Sequence, residues 1–176
     1  DYWAGVGILI VGACITIFAL ATAQRLSCKQ LEFRDPRLTR KYRLVQISDV
    51  HIGSRSVGFL RQVVEAINTQ NPNLIVITGD FLDAKRVQAK DIAPLKNLKA
   101  PVYFSIGNHE RYAGLDWVIP MLEDAGVVVL RSQAVKVGEL QLIGIDDAED
   151  EDQVKRELST IELDPECFKI LLYHRP

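Results

Sequence analysis

The chain has 176 residues, 48% hydrophobic and 25% charged, with a net charge of −2. That length allows one domain with a short appendage, and that composition excludes a disordered chain. The slight negative charge gives no basis for nucleic-acid binding, and three scattered cysteines (Cys14, Cys28, Cys167) exclude a disulfide framework and a paired-cysteine zinc site.

The first element is apolar. Tyr2 to Gln24 holds no charged residue and, within the run, only Thr16 and Thr22 as aliphatic hydroxyl residues. As a helix it would extend about 34 Å, enough to cross the hydrocarbon core, with Tyr2 and Trp3 at an interface. Residues 1–24 are therefore read as a transmembrane helix. A cleavable signal ending at Ala21-Thr22-Ala23 is the alternative, but the run exceeds the usual apolar core of such peptides. Residues 25–42 follow as a basic juxtamembrane linker, with Arg25, Lys29, Arg34, Arg37, Arg40 and Lys41 against Glu32 and Asp35. The excess of basic residues places this side in the cytoplasm of a cell-membrane protein and draws it to anionic head groups. An exported domain is the other possibility.

From residue 43 strands alternate with helices. Leu44–Ile47 reads as a strand, and Leu60, Val63, Val64 and Ile67 fall on one helical face. Leu74–Thr78 is a β-branched run suited to a strand covered on both faces. A polar stretch with a weak helical pattern leads to a strand at Val102–Ile106, a helix at Leu115–Ala125 and a strand at Val127–Leu130. Val135–Val137 and Leu140–Ile145 form a hairpin about Gly138-Glu139, and Asp146–Asp152 begins a helix. Phe168–Tyr173 is the last strand. The pattern is α/β, a largely parallel sheet covered by helices with a hairpin added.

Polar residues cluster where strands stop. Asp49-Val50-His51 follows the first strand, Gly79-Asp80 the second, Gly107-Asn108-His109-Glu110 the third, and His174 the last. All three histidines of the chain lie in these segments. Ligands gather at the carboxyl ends of strands in α/β sheets, so four strand ends deliver metal-ligand types to one rim. An aspartate after one strand is ordinarily a turn or cap residue; four such segments using every histidine are not explained that way. Asp83 reads as a turn residue, and Asp146 and Asp147 as a helix cap. Glu110 either orients His109 or lies on the surface. Neither a nucleophile elbow nor a phosphate-binding loop with Lys is present.

The ordered set Asp-x-His, Gly-Asp, Gly-Asn-His-Glu and His resembles the calcineurin-like metallophosphoesterases. The lead residues Asp49, Asp80, Asn108 and His174 are 31, 28 and 66 positions apart. With the apolar helix, the chain is similar to the bacterial membrane-linked branch. The resemblance covers about residues 43–176 and implies a layered α/β sandwich that would be incomplete here, since the family's final Gly-His-x-His block is missing. It implies that Asp49 and His51 hold one divalent ion (Mn, Zn or Fe), Asn108 and His174 a second, and that Asp80 bridges them. His109 would face the substrate as a general acid. Two such ions about 3.5–4 Å apart clamp a phosphoryl group and generate hydroxide from water at neutral pH. The implied activity is hydrolysis of a phosphate mono- or diester, lipid- or nucleotide-linked, at a membrane. Arg55 and Arg111 adjoin the motifs as candidate phosphate contacts. The alternative is a scaffold that keeps the fold without the chemistry.

Overall fold

The structure, a computed structural model, describes residues 2–23, 25–83, 86–147 and 150–175. It divides into two units, residues 1–32 and 33–176.

The first unit is the helix α1 (Tyr2–Ala23) and a short tail. Tyr2, Trp3, Ile8, Leu9, Ile15, Ile17 and Phe18 lie exposed, and its Tyr2–Ala19 window is long and apolar enough to cross a bilayer. The hydroxyls of Thr16 and Thr22 donate to the carbonyls of Gly12 (2.9 Å) and Phe18 (2.8 Å), four residues back. Both polar groups are thus satisfied inside the helix, as a hydrocarbon surrounding demands.

The second unit begins at Phe33, inside the stretch expected to be linker. Arg37 pairs with Asp35 (2.7 Å), donates to the Cys167 carbonyl (3.1 Å) and lies over the Phe168 ring. Leu38 and Tyr42 pack into a core cluster. The Arg37 guanidinium, hydrogen-bonded to Asp35, holds that carboxyl down at about 2. Arg37, Arg40 and Arg43 therefore have partners within the folded unit.

Two sheets form the body. Strands β1 (Leu44–Ile47), β2 (Leu74–Thr78), β3 (Val102–Ser105) and β4 (Val127–Leu130) make an all-parallel sheet in that order. Strands β5 (Gln133–Val137), β6 (Leu140–Gly144) and β7 (Phe168–Leu172) make a second, with β5/β6 antiparallel and β6/β7 parallel. The expected hairpin is present, but it builds a separate sheet with β7 rather than extending the first. The side chains of β2 show why. Ile75 and Ile77 point into a core with α2 (Val57–Thr69), whose buried residues are Leu60, Val63, Val64 and Ile67. Leu74 and Val76, on the opposite face, join Leu140, Leu142 and Leu172 of the second sheet in another core. A strand alternates its side chains between faces, so one apolar run serves two layers. The result is a layered α/β sandwich.

The polar stretch before β3 folds as α3 (Ala89–Ile92) and a 3-10 turn (Ala93–Asn97). After β3 come α4 (Asn108–Ala113) and α5 (Leu115–Asp124). The helix expected to begin within 146–152 is α6 (Glu151–Thr160), capped by the Asp150 carboxylate on the Asp152 N–H (2.9 Å). Of that acidic stretch, Ala148 and Glu149 lie outside the described residues. Asp146 and Asp147 are not caps. They are buried and paired with arginines, Asp146 with Arg131 (2.8 Å) and Asp147 with Arg175 (2.7 Å).

Candidate metal centre

The loops that end β1 and β2 are laced together by their backbones. Asp49 and His51 donate their N–H groups to the carbonyls of Gly79 (3.3 Å) and Asp80 (3.1 Å), and Ile52 donates to Phe81 (2.7 Å). This pairing continues the register of β1 on β2 past the strand ends, and it requires unusual backbone. Asp49, His51 and Asp80 all adopt positive φ (56°, 53° and 52°), a region that non-glycine residues enter at a cost. Strain of this kind collects at functional sites.

Two glycines permit the close approach. A Cβ on Gly79, which has φ of 75°, would lie 2.6 Å from the Gly107 Cα and 2.9 Å from His174 Nδ1. A Cβ on Gly107 would lie 2.5 Å from the Asp80 backbone nitrogen and would collide with the Asp80 carboxylate. Gly107→Ala is accordingly expected to displace Asp80 and to cost at least about tenfold in Mn²⁺ affinity. A Mn²⁺ titration followed by electron paramagnetic resonance measures this, and wild-type affinity in the variant would refute it.

Two groups of donor atoms result, each with its atoms within 4.8 Å of one another: His51, Asp80 and His109, and Asp49, Asp80 and His174. Asp80 belongs to both. Its Oδ2 lies 3.2 Å from His174 Nε2 and 3.8 Å from His109 Nε2, and its Oδ1 accepts the His109 backbone N–H (3.0 Å). His51 Nε2 is 3.8 Å from Asp49 Oδ1, and the His51 and His109 rings meet edge to face. His174 Nδ1 lies 2.9 Å from the Thr78 carbonyl oxygen. A carbonyl only accepts, so a proton on Nδ1 would satisfy this contact and leave Nε2 as the atom available to a metal. A hydrogen bond of that kind orients a metal-binding imidazole. Asn108, the first residue of α4, stands next to Gly107 at the same rim. Carboxylate oxygens and imidazole nitrogens at these separations fit divalent ions such as Mn, Zn or Fe.

The expectation for Glu110 is overturned. It neither orients His109 nor lies on the surface; it is fully buried. Oε2 accepts the N–H groups of Asp80 (2.9 Å) and Gly107 (3.0 Å), and Oε1 those of Phe81 (2.8 Å) and Leu82 (2.9 Å). One carboxylate thus ties the Asp80 loop to the start of α4. Burial pushes its pKa above the ordinary carboxylate value, opposed by the N–H groups of Leu82, Asp80 and Gly107.

Other candidates fall as follows. Asp83 accepts the Ser54 N–H (3.0 Å), a loop contact. Arg55 lies over the Phe59 ring at 4.5 Å. Arg111 stands 3.6 Å from Asp146. Ser48, which the sequence did not single out, donates its hydroxyl to the Asp49 carboxylate.

A family model for the calcineurin-like phosphoesterases matches residues 42–169. The chain belongs to that family. Its members are metal-dependent hydrolases, and the candidate ligand groups described above lie at the motif loops of this phosphoesterase fold. A metallophosphoesterase of Campylobacter jejuni is 27% identical over 84% of this chain and 42% of its own length. A zebrafish (Danio rerio) transmembrane protein with a metallophosphoesterase domain is 31% identical over 80% of this chain and 36% of its own. A UDP-2,3-diacylglucosamine pyrophosphatase of Chlamydia muridarum is 31% identical over 57% of this chain and 34% of its own. The chain spans less than half the length of each of these relatives.

Proposed function

We propose that this chain is the membrane-anchored, metal-binding part of a phosphoesterase that hydrolyses a lipid-linked phosphate ester. The observation that carries the reading is the convergence of Asp49, His51, Asp80, His109 and His174 from four strand ends into two overlapping donor groups. By the family resemblance Asp49 and His51 would hold one divalent ion and Asn108 and His174 a second, with Asp80 shared, whereas the donor groups here set His51 beside His109 and Asp49 beside His174. Bound there, the ions supply Lewis-acid polarisation of a phosphoryl group and of water.

The protein's own groups do the rest. Glu110 fixes the Asp80 loop, and the Thr78 carbonyl orients the His174 ring. His109 faces the substrate and, in its protonated form, gives a ring proton to the leaving oxygen. Membrane attachment is supported by α1 and by transmembrane relatives such as the zebrafish protein; the basic residues after α1 favour a cytoplasmic domain. A lipid-linked substrate is supported by the same helix and by the chlamydial relative, named for a diacylated sugar nucleotide.

The test uses the whole chain, with any natural continuation, reconstituted in vesicles. Hydrolysis should vanish on chelation, return with Mn²⁺ or Zn²⁺, and run faster on a lipid-linked phosphate than on a soluble nucleotide. Chelator-resistant hydrolysis would overturn the metal reading. A preference for soluble nucleotides would overturn the lipid one.

A further inference from the structure

Beside the metal-ligand loops lies a set of charged residues that the reading above does not use. Asp146 and Asp147 follow β6 and are buried, at 4% and 2% exposure. Arg131 donates through Nε (2.9 Å) and Nη2 (2.8 Å) to the single oxygen Oδ2 of Asp146. Arg111 approaches that same oxygen at 3.6 Å, an ion-pair distance too long for a hydrogen bond. Arg175 donates through Nη2 to Asp147 Oδ2 (2.9 Å), and its Nε stands 2.7 Å from Oδ1 as an ion pair outside hydrogen-bond geometry.

The set is fastened to the candidate metal centre at three points. Arg111 follows His109 by two residues on α4. Arg175 is the residue after His174. The Asp147 N–H donates to the carbonyl of Ile106 (2.9 Å), two residues before Asn108.

Its electrostatics favour an anion. Among the described residues, three guanidinium groups stand over two carboxylates. The carboxylates are buried, while the side chains of Arg111, Arg131 and Arg175 remain 37%, 47% and 41% exposed. Each guanidinium has five N–H donors. Arg131 spends its Nε and Nη2 groups on Asp146, Arg175 spends Nη2 on Asp147, and the Arg111 side chain makes no hydrogen bond among the described residues. Buried carboxylates thus hold arginines that stay partly exposed and keep unspent donors. A held fork of this kind suits bidentate recognition of a phosphoryl group.

We infer that Arg111 and Arg131, anchored by Asp146, form a second anion subsite that takes the non-reacting phosphoryl group of a diphosphate substrate. The inference rests on the phosphoesterase reading for its substrate and narrows it, from phosphate esters in general to a diphosphate whose second phosphate lies off the metals. Asp146 here is a positioning residue, and Arg111 and Arg131 are the groups that touch the ligand.

The experiment is a calorimetric titration of the whole chain in detergent micelles with inorganic phosphate and with methylenediphosphonate, a diphosphate mimic that cannot be hydrolysed. With Mn²⁺ present, the wild type should bind the diphosphonate about tenfold more tightly than phosphate. Arg131→Ala and Arg111→Ala should each bring the two ligands nearly level. Because Arg111 has no hydrogen bond to lose, its variant carries the test if Arg131→Ala fails to fold. A wild type without the preference, or a preference kept in both variants, would overturn the subsite. The same titration in EDTA separates the two readings. If Mn²⁺ has no effect but diphosphonate binding still depends on the arginines, the metal reading falls and the subsite stands. If Mn²⁺ tightens binding and the arginines make no difference, the subsite alone falls.

Discussion

Glu110→Gln is expected to destabilise the domain by about 2–6 kcal/mol, although it changes one atom of a side chain with no surface exposure. The carboxylate accepts four backbone N–H groups, two on each oxygen. A carboxamide has one acceptor oxygen, so its amino group must face either the pair from Asp80 and Gly107 or the pair from Phe81 and Leu82. Two buried donors are then left unpaired, at about 1–3 kcal/mol each. Because native domains are stable by only about 5–15 kcal/mol, the melting temperature should fall by something on the order of 10 °C. Mn²⁺ affinity should fall with it, since the Asp80 loop is released. A melting curve coincident with that of the wild type would show that the four contacts do not hold the loop.

The second large effect concerns chemistry rather than stability. His109→Ala should lower turnover by about 10²–10⁴-fold while Mn²⁺ binds within about threefold of wild type, because a general acid contributes to the transition state and not to the resting site. Asp80→Asn, by contrast, should lose metal, since the Asp80 carboxylate serves both donor groups. The proximity of His109 to His51 and Asp80 makes the comparison decisive. Loss of metal from His109→Ala would make that imidazole a ligand, and unchanged turnover would remove it from the mechanism.

Much of this architecture was legible from local pattern. The period of Leu60, Val63, Val64 and Ile67 gave a helix whose buried residues are those four, and the run Leu74–Thr78 gave a central strand. The strand-end positions of the Asp49, Asp80 and Asn108 motifs sufficed to gather those three at one rim, because a parallel sheet aligns its carboxyl ends, whereas His174 arrives from the second sheet. What local pattern could not carry was long-range pairing. Nothing within Phe168–Leu172 says that it pairs with Leu140–Gly144 and not with the first sheet. Glu110 illustrates the same limit within the site. A glutamate after His109 reads identically whether it faces water or four backbone donors from two other segments. Asp146 and Asp147 resembled helix caps because acidic residues follow them, whereas their partners Arg131 and Arg175 lie 15 and 28 positions away. The basic run after α1 read as a juxtamembrane linker, since the contacts of Arg37 with Cys167 and Phe168 span most of the domain.

The left-handed backbone at Asp49, His51 and Asp80 sets protein engineering against the reaction. Glycine enters that region freely, so exchanging any of the three for glycine would relieve a conformational cost of about 1–3 kcal/mol while deleting a donor atom. A library screened for heat resistance alone would be drawn toward such exchanges, and its most robust survivors would include folded proteins with no site. Screens on this scaffold therefore need a metal-dependent readout from the first round.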